Sequence, residues 1–560
     1  MKKVLSILLC CMMVLLILPF ATAAAEAANI APNAVYVSSS FCSSWETVKA
    51  LNDGFDPASS KDHSHSAYGN WPELGTQWVQ YNWKFPMVLD KIDVYWFADK
   101  DGIFLPSSCK LQYWDGSQFI DVKNAAGYGV EGDKYNTTTF DQVVTDKMRL
   151  QFTGDGVHST GILEWRVYGE VSETVFDQEY NIALSAAGSA SYCSSVESVA
   201  ALNDGVEPVD SQDRTRNKYG NWPKKGAVEW VQYDWPIQMD VNKVGVYWFD
   251  DGNKIRLPSS YKLQYWDGTG FKDVLDAKQD TLEKDKYVMT TFDAVKTSKL
   301  RITYTGNSSY PTGILEWKVY GLPVVSAPPA GTNEFYKKYV QCYGIPVLAS
   351  EKVSDRALTQ SYLTIQAMMK KISVERPELI EKMLSNGGTV HILGKTEFVY
   401  QLPEYADEED HTFRGAFGGS DCVVFEEHMD PDLNNKWNTT FNVLCHELTH
   451  VLLYGGIGDD QAMGVDPVLF GKIKSAYQEL FDPNAQYCRY KLESAYDLNN
   501  VQEYFAGQVP RWFNCNPTDL NVPDAGLKTD REQLKLYDPK IYNIVKTLFG
   551  DYPMPAPWCY

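Results

Sequence analysis

The chain has 560 residues, 44% of them hydrophobic, enough for several cores and too many for one ordinary domain. Its 51 Lys plus Arg against 72 Asp plus Glu leave a net charge of −21, which excludes general nucleic-acid binding unless the acids are segregated from a basic face. Aromatic residues reach 13%, with 16 Trp and 35 Tyr, more than core packing needs, while the 8 His are few enough to follow singly.

Residues 1–23 read as a secretory signal: Lys2 and Lys3, an apolar run from Val4 to Phe20, then Ala21-Thr22-Ala23 as a small-residue cleavage site. Cleavage takes the net charge from −21 to −23 and implies a secreted, extracellular protein. No later apolar stretch is long enough to span a bilayer. Beyond the signal lie nine cysteines, an odd number, and none forms a Cys-x-x-Cys pair, so a thiolate zinc ribbon is excluded.

The next segment is duplicated. Ala50-Leu-Asn-Asp-Gly54 recurs as Ala201–Gly205, Tyr68-Gly-Asn-Trp-Pro72 as Tyr219–Pro223, Lys110–Gly116 as Lys262–Gly268, and Gly161-Ile-Leu-Glu-Trp165 as Gly313–Trp317. Alternating runs such as Lys91–Phe97 and Lys147–Phe152, separated by Gly, Asp, Asn and Pro, predict half-buried strands at sandwich spacing. The expectation is two all-β jelly-roll sandwiches, at residues 29–170 and 181–321. Trp96, Trp165, Trp248 and Trp317 fall inside strand patterns and read as core. The loop residues Tyr68, Asn70 and Trp71, with Tyr219, Asn221 and Trp222, mix aromatic faces with amides, as glycan binding would require. His63 and His65 are replaced by Arg214 and Arg216 in the repeat, which argues against a histidine metal pair.

With the Leu-Asn-Asp-Gly loop and the closing Gly-Ile-Leu-Glu-Trp, each unit resembles the discoidin-like, galactose-binding-like modules appended to many secreted bacterial glycosidases and peptidases. That resemblance implies carbohydrate binding and a structural calcium held by Asp53 with Glu164, and by Asp204 with Glu316. Each Asp-Gly is equally readable as a plain turn.

Residues 322–333 form a Pro-rich linker, after which the period becomes helical. Residues 354–373 and 377–384 predict helices, Thr389–Leu393 and Cys422–Phe425 predict strands, and residues 334–560 form an α+β domain. Its chemistry is concentrated at Cys445-His446-Glu447-Leu448-Thr449-His450, inside an apolar helical run that Gly455-Gly456 is expected to stop. Histidines four apart share a helix face and can bind one zinc, with Glu447 placed as general base. Downstream, Glu479, Glu493 and Glu503 are candidates for the third ligand; Glu503, among apolar neighbours after the capping pair Asn499-Asn500, is the one whose burial calls for a metal. Pro510 is expected to end that helix early.

The His446-Glu-x-x-His450 helix, Glu503-Tyr-Phe-Ala506, and Tyr496 seven residues before Glu503 together resemble the gluzincin peptidases of the anthrax lethal-factor and Pro-Pro endopeptidase type. The resemblance implies a zincin fold, a zinc endopeptidase acting on a protein or peptide, an oxyanion-stabilising role for Tyr496, and a substrate-holding loop and edge strand that include Gly418, Gly419 and Val423. The sequence therefore reads as a secreted zinc endopeptidase carried to a glycan-bearing surface. The alternative is a non-catalytic adhesin with a structural zinc domain, which the intact Glu447 disfavours, since a structural site has no use for a general base.

Overall fold

The computed structural model describes residues 28–431, 441–460, 464–481, 498–516 and 529–558. The signal segment, Glu493 and Tyr496 lie outside them. The chain divides into two compact units, residues 1–172 and 173–560.

The first unit is an antiparallel β-sandwich. Its strands run in the order Ala28–Asn29, Gly161–Val171, Thr76–Phe97, Tyr135–Thr153, Ser108–Trp114 and Phe119–Asp121, with Tyr36–Ser39 paired to Thr76–Phe97. The strands of 22 and 19 residues are too long to stay flat. Register shifts between Asn82 and Met87, and between Leu89 and Lys91, bend them so that one continuous ladder supplies both layers. Inside, Trp96 and Trp165 are fully buried, and Tyr81 stacks on Trp165 at 4.2 Å while its one hydroxyl hydrogen is shared between Leu51 O and Trp165 O, 2.7 and 2.9 Å away. Replacing such a tryptophan by alanine costs about 3–5 kcal/mol.

The second sandwich repeats this plan, Gly313–Pro323 against Val228–Phe249 against Tyr287–Thr305 against Ser260–Trp266, with Tyr233 stacked on the buried Trp317 at 4.0 Å. It belongs to the same compact unit as the C-terminal region. Part of the expected linker is built in: Leu322 and Pro323 complete a strand, Val324 N donates to Gln238 O, and Ser326 pairs with Tyr339. The Tyr343 hydroxyl donates to Leu184 O at 2.8 Å and the Gln366 amide to Asn181 O at 3.0 Å, so the C-terminal region grips the second sandwich directly.

The C-terminal region is α+β. A mixed sheet runs Lys338–Cys342, Ile345–Ala349, Val390–Leu393, Cys422–Phe425 and Phe417–Gly418, the inner pairings parallel and the outer two antiparallel. Helices pack on it, led by Asp355–Glu375, whose Ser354 cap accepts from Ala357 N, and Pro377–Ser385. Two expected helix stops fail. Gly455 and Gly456 do not end the histidine helix: Val443–Val451 runs on as a wide π-turn through Leu452–Ile457, and the stop is Gly458 at φ +100°. A Cβ at position 456 would lie 2.7 Å from Leu379 O, so this glycine serves close packing against Pro377–Ser385. Pro510 sits inside the helix Val501–Trp512, two residues before its last, where one missing N–H is tolerable.

Candidate metal centre and flanking sites

Two short helices bring the polar groups together. The Asn442 side chain caps the first by accepting from Cys445 N at 3.0 Å, and Leu444, Leu448 and Val451 bury its apolar face, which leaves His446 and His450 on the opposite side one turn apart. Asn500 caps the second by accepting from Glu503 N at 2.8 Å, so the carboxylate leaves from the first turn toward the histidines. His446 Nε2 lies 3.2 Å and His450 Nε2 3.3 Å from Glu503 Oε2, and the two Nε2 atoms are 3.2 Å apart.

That triangle fits a zinc ion. Three ligand atoms at about 2.0–2.1 Å from a tetrahedral zinc stand about 3.3–3.4 Å from one another. Two imidazole nitrogens and a carboxylate oxygen converging this closely are stabilised by a proton or a metal ion shared between them. Burial raises the pKa of Glu503, but hydrogen bonds from both histidines outweigh it and hold the carboxyl at about 2, ionised as a ligand must be. Glu447 shares the cluster: its carboxylate lies within 4.8 Å of the ligand atoms of His446 and His450. Burial pushes its pKa up, the histidines pull it down, and Glu503 adds to the rise. Glu479 is not a rival ligand, since it pairs with Lys540. Cys445, beside His446, is buried against Cys515.

Glu447, His450 and Glu503 open on a cleft of about 470 Å³ lined also by Phe417, Gly418, Gly419, Tyr454 and Gln502, among others. Among the described residues Phe417–Gly418 is the last strand of its sheet, paired on one side only. A Cβ on Gly418 would stand 2.1 Å from Glu447 O and 2.8 Å from His450 Cβ, so only glycine lets this edge lie against the histidine helix. Val423 is a correction: it is fully buried, paired between His391 and Phe417, and faces no substrate. His391 supports the edge from behind, 3.2 Å from Asp421 and 2.7 Å from the Tyr336 hydroxyl. Tyr454 escaped the sequence reading, although it continues the four-residue step of His446 and His450.

The two sandwiches differ where calcium was expected. In the first, Asp53 Oδ1 accepts from Phe55 N at 2.9 Å, the fully buried Glu164 has no side-chain hydrogen-bond partner and faces only the Gly54 backbone N–H, and the nearest cation is Arg166 at 3.9 Å, itself engaged by Asp56. Burial first, then repulsion from Asp53, raises the Glu164 pKa to about 8. A buried carboxylate with no cationic partner closer than 3.9 Å, beside a second acid, fits a divalent cation. The second does not fit. There the Arg216 guanidinium donates to Asp204 Oδ1 at 2.6 Å, Glu316 Oε2 at 3.1 Å and Leu315 O at 3.0 Å, so the expected Asp204–Glu316 calcium site is already filled by a side chain.

The expected glycan residues also separate. Tyr68 is buried with its hydroxyl on Phe41 O, and Asn70 accepts from Thr160 and donates to Glu73 O. Tyr219 and Asn221 are likewise buried, bonded to Tyr192 O and Thr312 N. These four shape the loops and cannot touch a ligand. Trp71 and Trp222 remain 49% and 52% exposed, and Trp45, which the sequence reading passed over, is 85% exposed.

No family model matches the chain. Among solved structures, three domains of Clostridium perfringens ZmpB, two family 32 carbohydrate-binding modules and an M60 catalytic domain, align at 8% identity over 51% of this chain and 37% of theirs, with a TM-score of 0.19. The family 32 module of Clostridium perfringens NanJ, solved with galactose, aligns at 16% over 26% of this chain and 99% of its own, TM-score 0.22. A chain of the Streptococcus pneumoniae β-galactosidase BgaA aligns at 18% over 24% and 91%, TM-score 0.23.

Proposed function

We propose that the chain is a secreted zinc-dependent endopeptidase of zincin type, targeted to a glycan-bearing surface by its sandwich modules. The observation that carries the reading is the triangle of His446, His450 and Glu503 at 3.2–3.3 Å, with Glu447 beside it and a one-sided strand edge along the same cleft. A bound zinc supplies Lewis acidity, polarising the scissile carbonyl and lowering the pKa of water. His446, His450 and Glu503 hold it. A substrate peptide adds to the open edge at Phe417–Gly418, its carbonyl directed at the histidine face. Glu447, made more basic by burial, takes the proton of the attacking water at its carboxylate and returns it to the leaving amine nitrogen. The phenol of Tyr496 is proposed as donor to the developing oxyanion.

Trp71 and Trp222 are proposed as platforms for apolar sugar faces, and Asp53 with Glu164 as the side-chain ligands of one calcium ion. Secretion is proposed from the signal segment, and no helix among the described residues is long and apolar enough to cross a membrane.

The test is a proteome-derived peptide library incubated with the full chain, with and without chelator. Glu447→Gln should retain zinc and lose cleavage by about 10²-fold or more, while Glu503→Ala should lower zinc content. Cleavage that persists in Glu447→Gln, or that chelation leaves intact, refutes the assignment.

A further inference from the structure

The two repeats fill the same position with different chemistry, and the difference falls where the second sandwich meets the C-terminal region. Position 65 of the first repeat is a histidine stacked on Phe55 at 3.7 Å; the matching Arg216 is turned inward with 4% of its side chain exposed, bridging Asp204 and the fully buried Glu316. The Asp-Gly loops differ too. A Cβ on Gly54 would meet nothing within 4 Å, whereas one on Gly205 would stand 2.7 Å from the Tyr552 ring, whose hydroxyl donates to Asp204 O at 3.1 Å. A second cation arrives from helix Asp355–Glu375: Lys370, 5% exposed, lines with Asp204, Tyr343 and Tyr552 a cavity of about 590 Å³. Burial lowers the Lys370 pKa to about 8, opposed by the attraction of Glu316 and Asp204. Two acids and two bases thus meet at the seam, and an aromatic side chain covers the Asp204-Gly205 loop.

We infer that Arg216 is a built-in counterion standing where a divalent cation would sit, and that Asp204 and Glu316, joined by Lys370, fasten the second sandwich to the C-terminal region in place of binding metal. A guanidinium held by the chain cannot be chelated away, so this seam keeps its charge balance where calcium is scarce. The inference holds whether or not the first sandwich takes calcium.

The experiment is equilibrium dialysis of the full chain against radioactive calcium, comparing wild type with Arg216→Ser. The variant should bind one calcium more per chain than wild type, whatever the wild-type number, which separately reports on Asp53 and Glu164. An unchanged or lower count in a folded variant overturns the inference. Should Arg216→Ser unfold without calcium while Arg216→Lys stays folded, added calcium must restore its cooperative unfolding; failure of that rescue also overturns it. Adding Lys370→Met to Arg216→Ser should tighten the new calcium about threefold or more, since a like charge has gone. Equal or weaker binding removes Lys370 from the group.

Discussion

Glu164 offers a test that needs no substrate. Its carboxyl has a pKa near 8 in the fold against an ordinary 4.5, so the folded chain holds the proton more tightly than the unfolded chain does. Stability should then fall as pH rises from about 4.5 to about 8 and be level on either side. At about 1.4 kcal/mol per pKa unit the ceiling is about 5 kcal/mol, and relaxation of Asp53 and entry of water reduce it to about 2–3 kcal/mol. In a unit of this size that is a fall of roughly 5–10 °C in unfolding temperature. Differential scanning calorimetry of the full chain, stripped of calcium, at about pH 5 and about pH 9 reads it directly. Glu164→Gln cannot ionise and should lose the slope; calcium should remove the slope in wild type, by holding the ionised carboxylate, and do nothing for the variant. Identical pH profiles for the two chains, or equal stabilisation of both by calcium, would refute the reasoning.

Gly418→Ala should preserve zinc content and lower kcat/KM by about 100-fold, since the new Cβ must push the strand edge roughly 1 Å off the histidine helix. Near-normal cleavage of the peptide library by this variant would show that the edge does not position substrate. Trp71→Ala and Trp222→Ala should each leave the unfolding temperature within about 2 °C of wild type, since the rings are half exposed, yet weaken retention on immobilised galactose-containing glycans about threefold to tenfold. A large loss of stability would place those rings in the fold instead.

The parts legible in the sequence were those written in local spacing. Histidines at 446 and 450 had to share a helix face, and Glu503, among apolar neighbours three residues after its cap Asn500, had to leave from a first turn, so the convergence of these three side chains followed from periodicity, capping and burial. Strand positions and the four core tryptophans were equally local. What failed depended on distant neighbours. Gly455-Gly456 looked like a stop because nothing nearby announces that Leu379 O will press against residue 456. Tyr68 and Asn70 carry the right groups for a sugar, but the strands beyond them consume those groups. Asp204 and Glu316 kept the motif of their first copies while Arg216, separated from Glu316 by a hundred residues, changed what the motif holds. The exchange of His65 for Arg216 was visible on aligning the repeats; its meaning needed three dimensions.

The stacked pairs Tyr81–Trp165 and Tyr233–Trp317 make the duplicated cores optically distinguishable by subtraction. Coupled aromatic rings about 4 Å apart produce a near-ultraviolet dichroic band that vanishes when they separate. Trp165→Phe should remove the contribution of the first pair and Trp317→Phe that of the second. Each single-substitution chain then reports the melting of the other module, and one spectrometer can follow two copies of the same fold as separate signals.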